Sequence, residues 1–222
     1  ARTRWTMLYL NPADHVLVNT PLARDGRATY SGFGEGVTFL TTPLKAETEI
    51  TGPIAAKLFV SSETADADLF LIVRVLSPNM KEVVFQGALD PHTPIAQGWL
   101  RASHRKLDPA LTLPHRPYHT HDERQPLTPG RVYELDVEIW PTSIVVPAGH
   151  RLALTVRGRD YEHPGGPGAG LAVLGDVFTG VGPFQHNDPR DRPPEIFGKK
   201  VTLHCGRRRP SHLLLPIVPP AR

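Results

Sequence analysis

The amino-acid sequence predicts an all-β domain built as a jelly-roll β-sandwich. Short apolar runs alternate with polar residues at the two-residue period of a strand, and helical periodicity is nearly absent. The 24 prolines and 19 glycines among the 222 residues are spread between these runs instead of gathering in one linker. About nine or ten strands, separated by turns in this way, are typical of a β-sandwich with long loops.

The most regular part of the chain is residues 47–79. Residues 54–60 place an apolar side chain at every second position, which predicts a strand with one covered face. An acidic turn follows, and residues 69–76 are then apolar on one face and interrupted on the other only by Arg74. We therefore expect the second strand to be buried more deeply than the first, and both to need a partner sheet.

The remaining elements follow from the same pattern. In chain order, strands are predicted at residues 3–10, 15–18, 37–41, 54–60, 69–76, 81–89, 133–139, 152–156, 200–205 and 211–218. The glycine-rich residues 21–36 are interpreted as an irregular crossing, and residues 108–130 as a long proline-rich loop. If the strands at 133–139 and 152–156 are neighbours, an acidic row would face a basic one. Residues 160–194 are predicted to be loop.

Composition limits the classes of partner. With 25 basic and 22 acidic residues the formal charge is only +3, which gives no reason to expect a nucleic acid. Residues 207–209 are three arginines, interpreted as a solvated turn and not as a phosphate site. Cys205 is the single cysteine, so no internal disulfide can form, and a reducing compartment such as the cytoplasm is favoured. No apolar run is long enough for a membrane-spanning helix.

Motifs for hydrolytic chemistry are missing. No G-x-S-x-G pentapeptide occurs, so the nucleophile elbow of an α/β-hydrolase is not present. Ser103 and His104 are adjacent, and if they lie on a strand their side chains point to opposite faces and cannot form a catalytic pair.

Metal ligation is the second chemistry to test. His119 and His121, with His115 upstream, resemble the two-histidine part of a cupin site, but Glu123 comes too early for the glutamate of that pattern. A cupin-like metal enzyme is therefore the weakest of three functional hypotheses, of which the other two are described below. No metal or other cofactor is predicted. Asp66 and Asp68 in the acidic turn are oxygen donors suited to calcium, yet such aspartates more often cap backbone amides, which is the interpretation favoured here.

Several segments together resemble one family. Residues 48–53 read TEITGP, residues 58–62 fit L-x-V-S-S, residues 98–105 fit G-x-L-R-A-S-x-R and residues 211–219 fit S-x-L-x-L-P-x-x-P. These segments, in this order, resemble the C-terminal domain of the X-Pro dipeptidyl-peptidase and cocaine-esterase-like (CocE/NonD) serine hydrolases. The arginines at residues 207–209 depart from the small, glycine-rich hairpin that is usual before the last strand of this family.

The resemblance implies a galactose-binding-like jelly roll that packs on an upstream α/β-hydrolase domain of the same polypeptide. Residues 1–36 would then be a lead-in strand and crossing from that domain, residues 37–222 the sandwich proper, and Ala1 the result of a cut within a longer polypeptide. The nucleophile, aspartate and histidine of an ester-, amide- or X-Pro-cleaving enzyme would lie upstream, so the isolated chain is expected to be inactive. Oligomer contacts would also be in keeping with the family.

Within this chain, four residues are candidates for the substrate pocket or the domain interface: Trp99, Arg101, His104 and Arg105. No catalytic residue is assigned, and neither a membrane nor a nucleic acid is expected as a partner. The alternative is a stand-alone β-sandwich module that binds a carbohydrate or another ligand through Trp99, Trp140 and loop residues.

Overall fold

The fold is almost entirely β-structure. A computed structural model of the chain describes residues 2–87, 90–163, 179–182 and 185–220. Its strands are β1 Arg4–Asn11, β2 Val16–Val18, β3 Gly26–Ser31, β4 Val37–Leu40, β5 Thr48–Ser62, β6 Asp68–Leu76, β7 Glu82–Val83, β8 Ala96–Arg101, β9 Tyr133–Val146, β10 Arg151–Arg157, β11 Lys200–Cys205 and β12 His212–Val218. One helical turn, α1, covers Pro194–Phe197, and a 3₁₀ turn covers Ala102–His104.

The first layer of the sandwich is organised around β5, its longest strand. One edge of β5 pairs antiparallel with β9 over almost its whole length, and the other edge pairs with β12 and then with β11. Beyond β12 come β1 and β2, and beyond β11 comes β3. A bulge near Gly52, where φ is +135°, bends the long strand and shifts its register with β9.

The second layer is organised around β6. It pairs with β10 on one edge and with β8 and β7 on the other, and β4 lies beyond β10. A single parallel bridge between Val16 of β2 and Leu40 of β4 connects the two layers. The two strands of the most regular sequence stretch, β5 and β6, thus lie in opposite layers and do not pair with each other.

One apolar core fills the space between the layers. The largest fully buried side chains of the first layer include Ile54, Leu58 and Ile139, and those of the second include Leu71 and Leu154. These residues alternate along their strands with outward-facing ones, as the two-residue period requires. In β6 every residue except Arg74 is buried, which confirms the prediction that this strand lies deeper than an ordinary amphipathic one.

Several sequence predictions about individual elements were wrong. The described residues form twelve strands, not nine or ten, because two strands were not predicted. Residues 21–36 contain β3, which pairs with β11 along its full length, and β8 pairs with β6 just before the long loop. Of the strand predicted at residues 81–89, the structure contains only the two residues of β7 and an isolated bridge between Phe85 and Thr93. Leu89 lies outside the described residues. Strands β9 and β10 are not neighbours, so the acidic row of β9 faces Lys57 of β5 instead of a basic row.

Other expectations about the surface can be compared directly with the structure. The first 36 residues, predicted as a lead-in, contribute β1, β2 and β3 to the first layer. Residues 207–209 are exposed, and Arg208 forms an ion pair with Asp25. Cys205 is a buried free thiol, and burial raises its pKa to about 11. Across the described part of the chain, no helix is long and apolar enough to span a membrane.

Candidate functional site at the junction of the two layers

The candidate site lies where β8, the edge of the second layer, meets β9, the edge of the first. Gly98 makes this approach possible, because a Cβ atom placed there would lie 2.2 Å from the carbonyl oxygen of Glu138. The next residue along β8 is Trp99, whose ring meets that of Trp140 on β9 edge to face, with centroids 5.0 Å apart and planes at 71°. The two indoles therefore bridge the layers at the surface.

A cavity of about 400 Å³ opens beside the two indoles. One side, which we call the ionic wall, is formed by Asp68, Arg101, Asp191 and Arg192. The other side, which we call the aromatic wall, is formed by Trp99, Trp140, His104, His119, His121 and the carboxylate of Glu138. The cavity thus combines an apolar surface with a few converging polar groups, as small-molecule sites do.

The charges of the ionic wall neutralise one another. Asp68 receives a bidentate pair of hydrogen bonds from Arg101, at 2.8 and 3.1 Å, and a third from Nε of Arg192 at 2.8 Å. Arg101 also donates two hydrogen bonds to Asp191, and its hydrogen bonds to the carboxylates of Asp68 and Asp191 raise the pKa of this guanidinium above its usual value. With four of its five N–H donors occupied by two carboxylates, Arg101 is neutralised within the chain and is poorly suited to bind a further anion.

Arg192 connects the ionic wall to two loops. Its guanidinium donates to the carbonyl oxygens of His186 and Gly158 and lies between the rings of Phe33 and Phe70, at 5.1 and 4.9 Å from their centroids. The side chain is only 6% exposed. Burial of a cation at this depth requires such a set of partners, so the loop that carries Arg192 is fixed to the sandwich.

The aromatic wall contrasts with this arrangement because its polar atoms are less completely paired. Nδ1 of His121 lies 3.5 Å from Nδ1 of His104, a weak contact. Nε2 of His119 is covered by protein but has no hydrogen-bond partner, and burial together with the nearby His121 lowers the pKa of this imidazole. Glu138 is exposed on the outer face of β9. The groups of this wall that are exposed to a ligand or a neighbouring surface are therefore Glu138, His121 and the indole of Trp140.

A buried carboxylate holds the turn that carries His104. Asp66 is 1% exposed and accepts hydrogen bonds from the amides of Ala67 and Ser103 and from the hydroxyl of Ser103, the last at 2.6 Å. This is the capping role predicted for an aspartate in the acidic turn, whereas Asp68 is held by guanidinium groups. Ser103 and His104 were considered as strand residues in the sequence analysis, but they lie in a 3₁₀ turn that follows the end of β8 at Arg101.

Three of the four predicted site residues line the cavity, and the fourth does not. Trp99, Arg101 and His104 are on its surface. Arg105 instead donates to the carbonyl oxygens of Ala102 and Gln125, and its guanidinium stacks 4.5 Å from the ring centre of Tyr133. Since these contacts are all within the fold, Arg105 stabilises the start of the long loop.

The histidines of the cupin-like pattern do not form a metal site. His115 stacks on Trp5, 4.2 Å between ring centroids, and lies apart from the cavity, while the rings of His119 and His121 are 6.0 Å apart in a loop. Among the described residues, no group of three or more histidine, cysteine, aspartate or glutamate side chains is arranged to hold a metal ion. The carboxylates of the acidic turn are occupied by donors of the chain itself.

Two parts of the site were missed by sequence reasoning. Asp191 and Arg192 come from a loop about 90 residues after Arg101, and nothing in its composition indicated a buried cation. Glu138 was noted as one member of an acidic row, without a link to Trp99. The spacing of Trp140, two residues after Glu138, was a usable signal, because both must face the same side of a strand.

Comparison with known proteins identifies the domain. Residues 6–214 match the family model described as the X-Pro dipeptidyl-peptidase C-terminal non-catalytic domain. The chain belongs to this family. The match covers nearly all of the sandwich and confirms the resemblance found in the sequence motifs.

Relatives with solved structures or curated names agree with the family. A CocE/NonD family hydrolase from Staphylococcus aureus superposes with a TM-score of 0.82 at 25% identity, over 98% of this chain and 37% of its own. Cocaine esterase from a Rhodococcus strain is 23% identical over 81% of this chain and 25% of its own length. A Mycobacterium bovis protein that carries the name of a serine esterase is 28% identical over 57% of this chain and 19% of its own.

The chain is therefore similar to only part of each relative, between about a fifth and two fifths of its length. The family is by description non-catalytic and C-terminal, so its members accompany a catalytic domain in the same polypeptide.

Proposed function

We propose that this chain is the non-catalytic C-terminal domain of a serine hydrolase of the X-Pro dipeptidyl-peptidase or acyl esterase/amidase type. In this role it stabilises an α/β-hydrolase domain of the same polypeptide and covers part of its substrate pocket. The observation that carries the proposal is the family match over residues 6–214. The CocE/NonD hydrolase similarity over 98% of the chain supports it.

The cavity at the junction of the layers is the part of the domain that we assign to the pocket. Its two indoles provide an apolar surface, while Glu138 and the imidazoles provide polar atoms at its rim. Such a surface can contact the acyl or leaving group of a substrate without contributing a catalytic group. The ionic wall holds Trp99 in place, because β8 is fixed to β6 directly beside it.

The test compares the isolated chain with the full-length polypeptide that carries it. The 222-residue chain should not hydrolyse aryl esters or X-Pro anilides, and the full-length polypeptide should hydrolyse one of these classes. Deletion of this domain should lower the activity at least tenfold. Turnover that co-purifies with the isolated chain, or full activity after deletion, would contradict the proposal.

A substitution in the cavity tests whether it forms part of the substrate pocket. Trp99→Ala in the full-length polypeptide should raise KM severalfold for bulky acyl substrates and change KM much less for acetyl esters, because only large groups would reach the indole. Met80→Ala, an exposed apolar residue in the turn between β6 and β7 that does not line the cavity, is the control and should leave the ratio of the two KM values unchanged. An equal change in both variants would count against a pocket at this position.

A stand-alone ligand-binding module is the second candidate, and the paired indoles favour it. Trp140 is 58% exposed beside Trp99, and exposed indoles are common stacking surfaces for sugars. Saturable, specific glycan binding by the isolated chain, abolished by Trp140→Ala, would support this alternative. An absence of hits on a glycan array, with activity in the full-length polypeptide, would eliminate it.

A further inference from the structure

Four exposed apolar side chains lie on β1 and on the loop that packs against it. Trp5 and Met7 project outward from β1 and are 40% and 44% exposed. Leu111 and Leu113 belong to the proline-rich loop and are 50% and 43% exposed. The loop is held against β1 because His115 stacks on the indole of Trp5. We call these four side chains the apolar face.

A groove of about 430 Å³ runs between this loop and the sheet. It is lined by Met7, Leu113, Pro117 and, from the sheet, Ala55 and Leu214. Met7 is paired with Leu214 in the register of β1 and β12, and Leu214 is paired with Ala55 of β5. Leu214 and Ala55 are buried, at 6% and 4% exposure, so they form the apolar floor of the groove between Met7 and Leu113 of the apolar face.

The same outer surface leads to the candidate cavity. The cross-strand row that contains Ala55 continues to Glu138 of β9, which lines the cavity. The loop follows this direction, because Leu113 and Pro117 line the groove while His119 and His121 line the cavity. A body that covered the apolar face could therefore also close the cavity from the side of β9.

The charged groups near the centre of this surface are already paired. Lys57 projects between β12 and β9 and forms ion pairs with Glu134 and with Asp136, the second at 2.9 Å. These hydrogen bonds raise the pKa of Lys57 even though its partial burial opposes this. Arg4 and Arg116, which adjoin this surface in β1 and in the loop, are exposed and form no ion pair with any described residue. Exposed tryptophan, methionine and leucine with free cations beside them are typical of an interface with an apolar core and a polar rim.

We propose that the apolar face is the docking surface for the catalytic domain of the same polypeptide. The inference rests on the proposed function. In a family whose domain is C-terminal, the connection from the catalytic domain enters at the start of β1, which is Arg4, one residue before Trp5. A domain tethered at this point is held at a high effective concentration, so four exposed apolar side chains can be enough to keep it docked. Docking would bury the four side chains and narrow the entrance to the cavity.

The two methionines of the chain provide a matched test. Met7 is on the apolar face, and Met80 lies in the turn between β6 and β7 of the opposite layer, where it is 51% exposed. Hydrogen peroxide oxidises accessible methionine to the sulfoxide, which mass spectrometry measures residue by residue. In the isolated chain both should oxidise readily. In the full-length polypeptide, oxidation of Met7 should slow at least fivefold, while Met80 keeps its rate.

A substitution in the docking surface tests whether docking causes the protection of Met7 from oxidation. Leu113→Glu in the full-length polypeptide places a charge in the docking surface and should return Met7 to the rate of the isolated chain. Met80→Glu is the control and should leave Met7 protected. Circular dichroism of both variants checks that the sandwich remains folded.

Two results would overturn the inference. Equal rates for Met7 in the isolated chain and the full-length polypeptide would show that this face is free in both. Concentration-dependent protection of Met7 in the isolated chain would show that a second copy covers it. In either case, loss of hydrolase activity on deletion of the domain would leave the proposed function intact, and only the position of the docking surface would be wrong.

Discussion

The two walls of the cavity differ in how completely their polar groups are paired within the chain. On the ionic wall, Asp68 and Asp191 occupy the donors of Arg101, and Arg192 is held by carbonyl oxygens and aromatic rings. On the aromatic wall, His119 has a covered nitrogen without a partner among the described residues, and Trp140 is mostly exposed. The ionic wall is complete within the chain, whereas the aromatic wall is not.

This difference separates structural from functional roles. A buried charge that loses its partner is costly, so the groups of the ionic wall must be paired for the domain to fold. Exposed indoles and imidazoles have no such requirement and remain available for contacts with other molecules. We therefore expect substitutions in the ionic wall to act on folding, and substitutions in the aromatic wall to act on binding or activity.

Removal of Asp68 should have the largest effect on stability. Asp68→Ala leaves two guanidinium groups without their shared carboxylate, and one of them, that of Arg192, is buried. The free energy of unfolding should fall by about 3–5 kcal/mol, measured by urea denaturation. Glu123→Ala, which removes an exposed ion pair with Lys106 while Asp122 still pairs with that lysine, is the control and should not measurably change the free energy of unfolding. A loss below about 1 kcal/mol for Asp68→Ala would mean that the ionic wall is not required for folding.

The sequence predicted the core better than it predicted the connections between strands. Residues 54–60 and 69–76 were correctly assigned to strands because their apolar periodicity reflects burial, which depends on local pattern. The placement of β5 and β6 in opposite layers, and the pairing of β9 with β5, depend on contacts between distant residues that leave no mark on periodicity. Strand β3 was missed because its glycine-rich surroundings resemble a loop.

The same limit applies to the candidate site. Trp99, Arg101 and His104 were selected because large and cationic side chains are crowded before a long loop, and they line the cavity. Arg105 was included on the same grounds, but the 3₁₀ turn after β8 directs it away from the cavity. Arg192 reaches Asp68 over 124 positions of sequence, and a lone arginine in a loop gives no indication of burial.

A smaller effect is expected from His119, and it depends on pH. The folded-state pKa lies below the ordinary value of 6.5, so at pH values between the two the unfolded chain binds more protons than the folded one. The contribution of His119 to stability is therefore full above pH 6.5 and falls as the pH is lowered through this window. His119→Gln should flatten the decrease in the free energy of unfolding between pH 7.5 and pH 5.5.

His119→Leu is the matched variant for this prediction. Both substitutions remove the titrating group, while they differ in how well they fill the space at pH 7.5. The two should thus differ in stability but share the flattened pH profile. An unchanged slope in both variants would show that the imidazole is not buried as described.

The smallest effect on stability should come from Trp140. Its side chain is 58% exposed, and its main described ring contact is the edge-to-face pair with Trp99, worth about 0.5–1.5 kcal/mol in such pairs. Trp140→Ala should therefore change the free energy of unfolding by no more than about 1 kcal/mol. Trp99→Ala should cost more, because Trp99 also packs on the buried Phe70. Urea denaturation of the two variants side by side measures this order. If Trp140→Ala were as destabilising as Asp68→Ala, the aromatic wall would be part of the structural framework, and the cavity would have no wall free to contact a ligand or the catalytic domain.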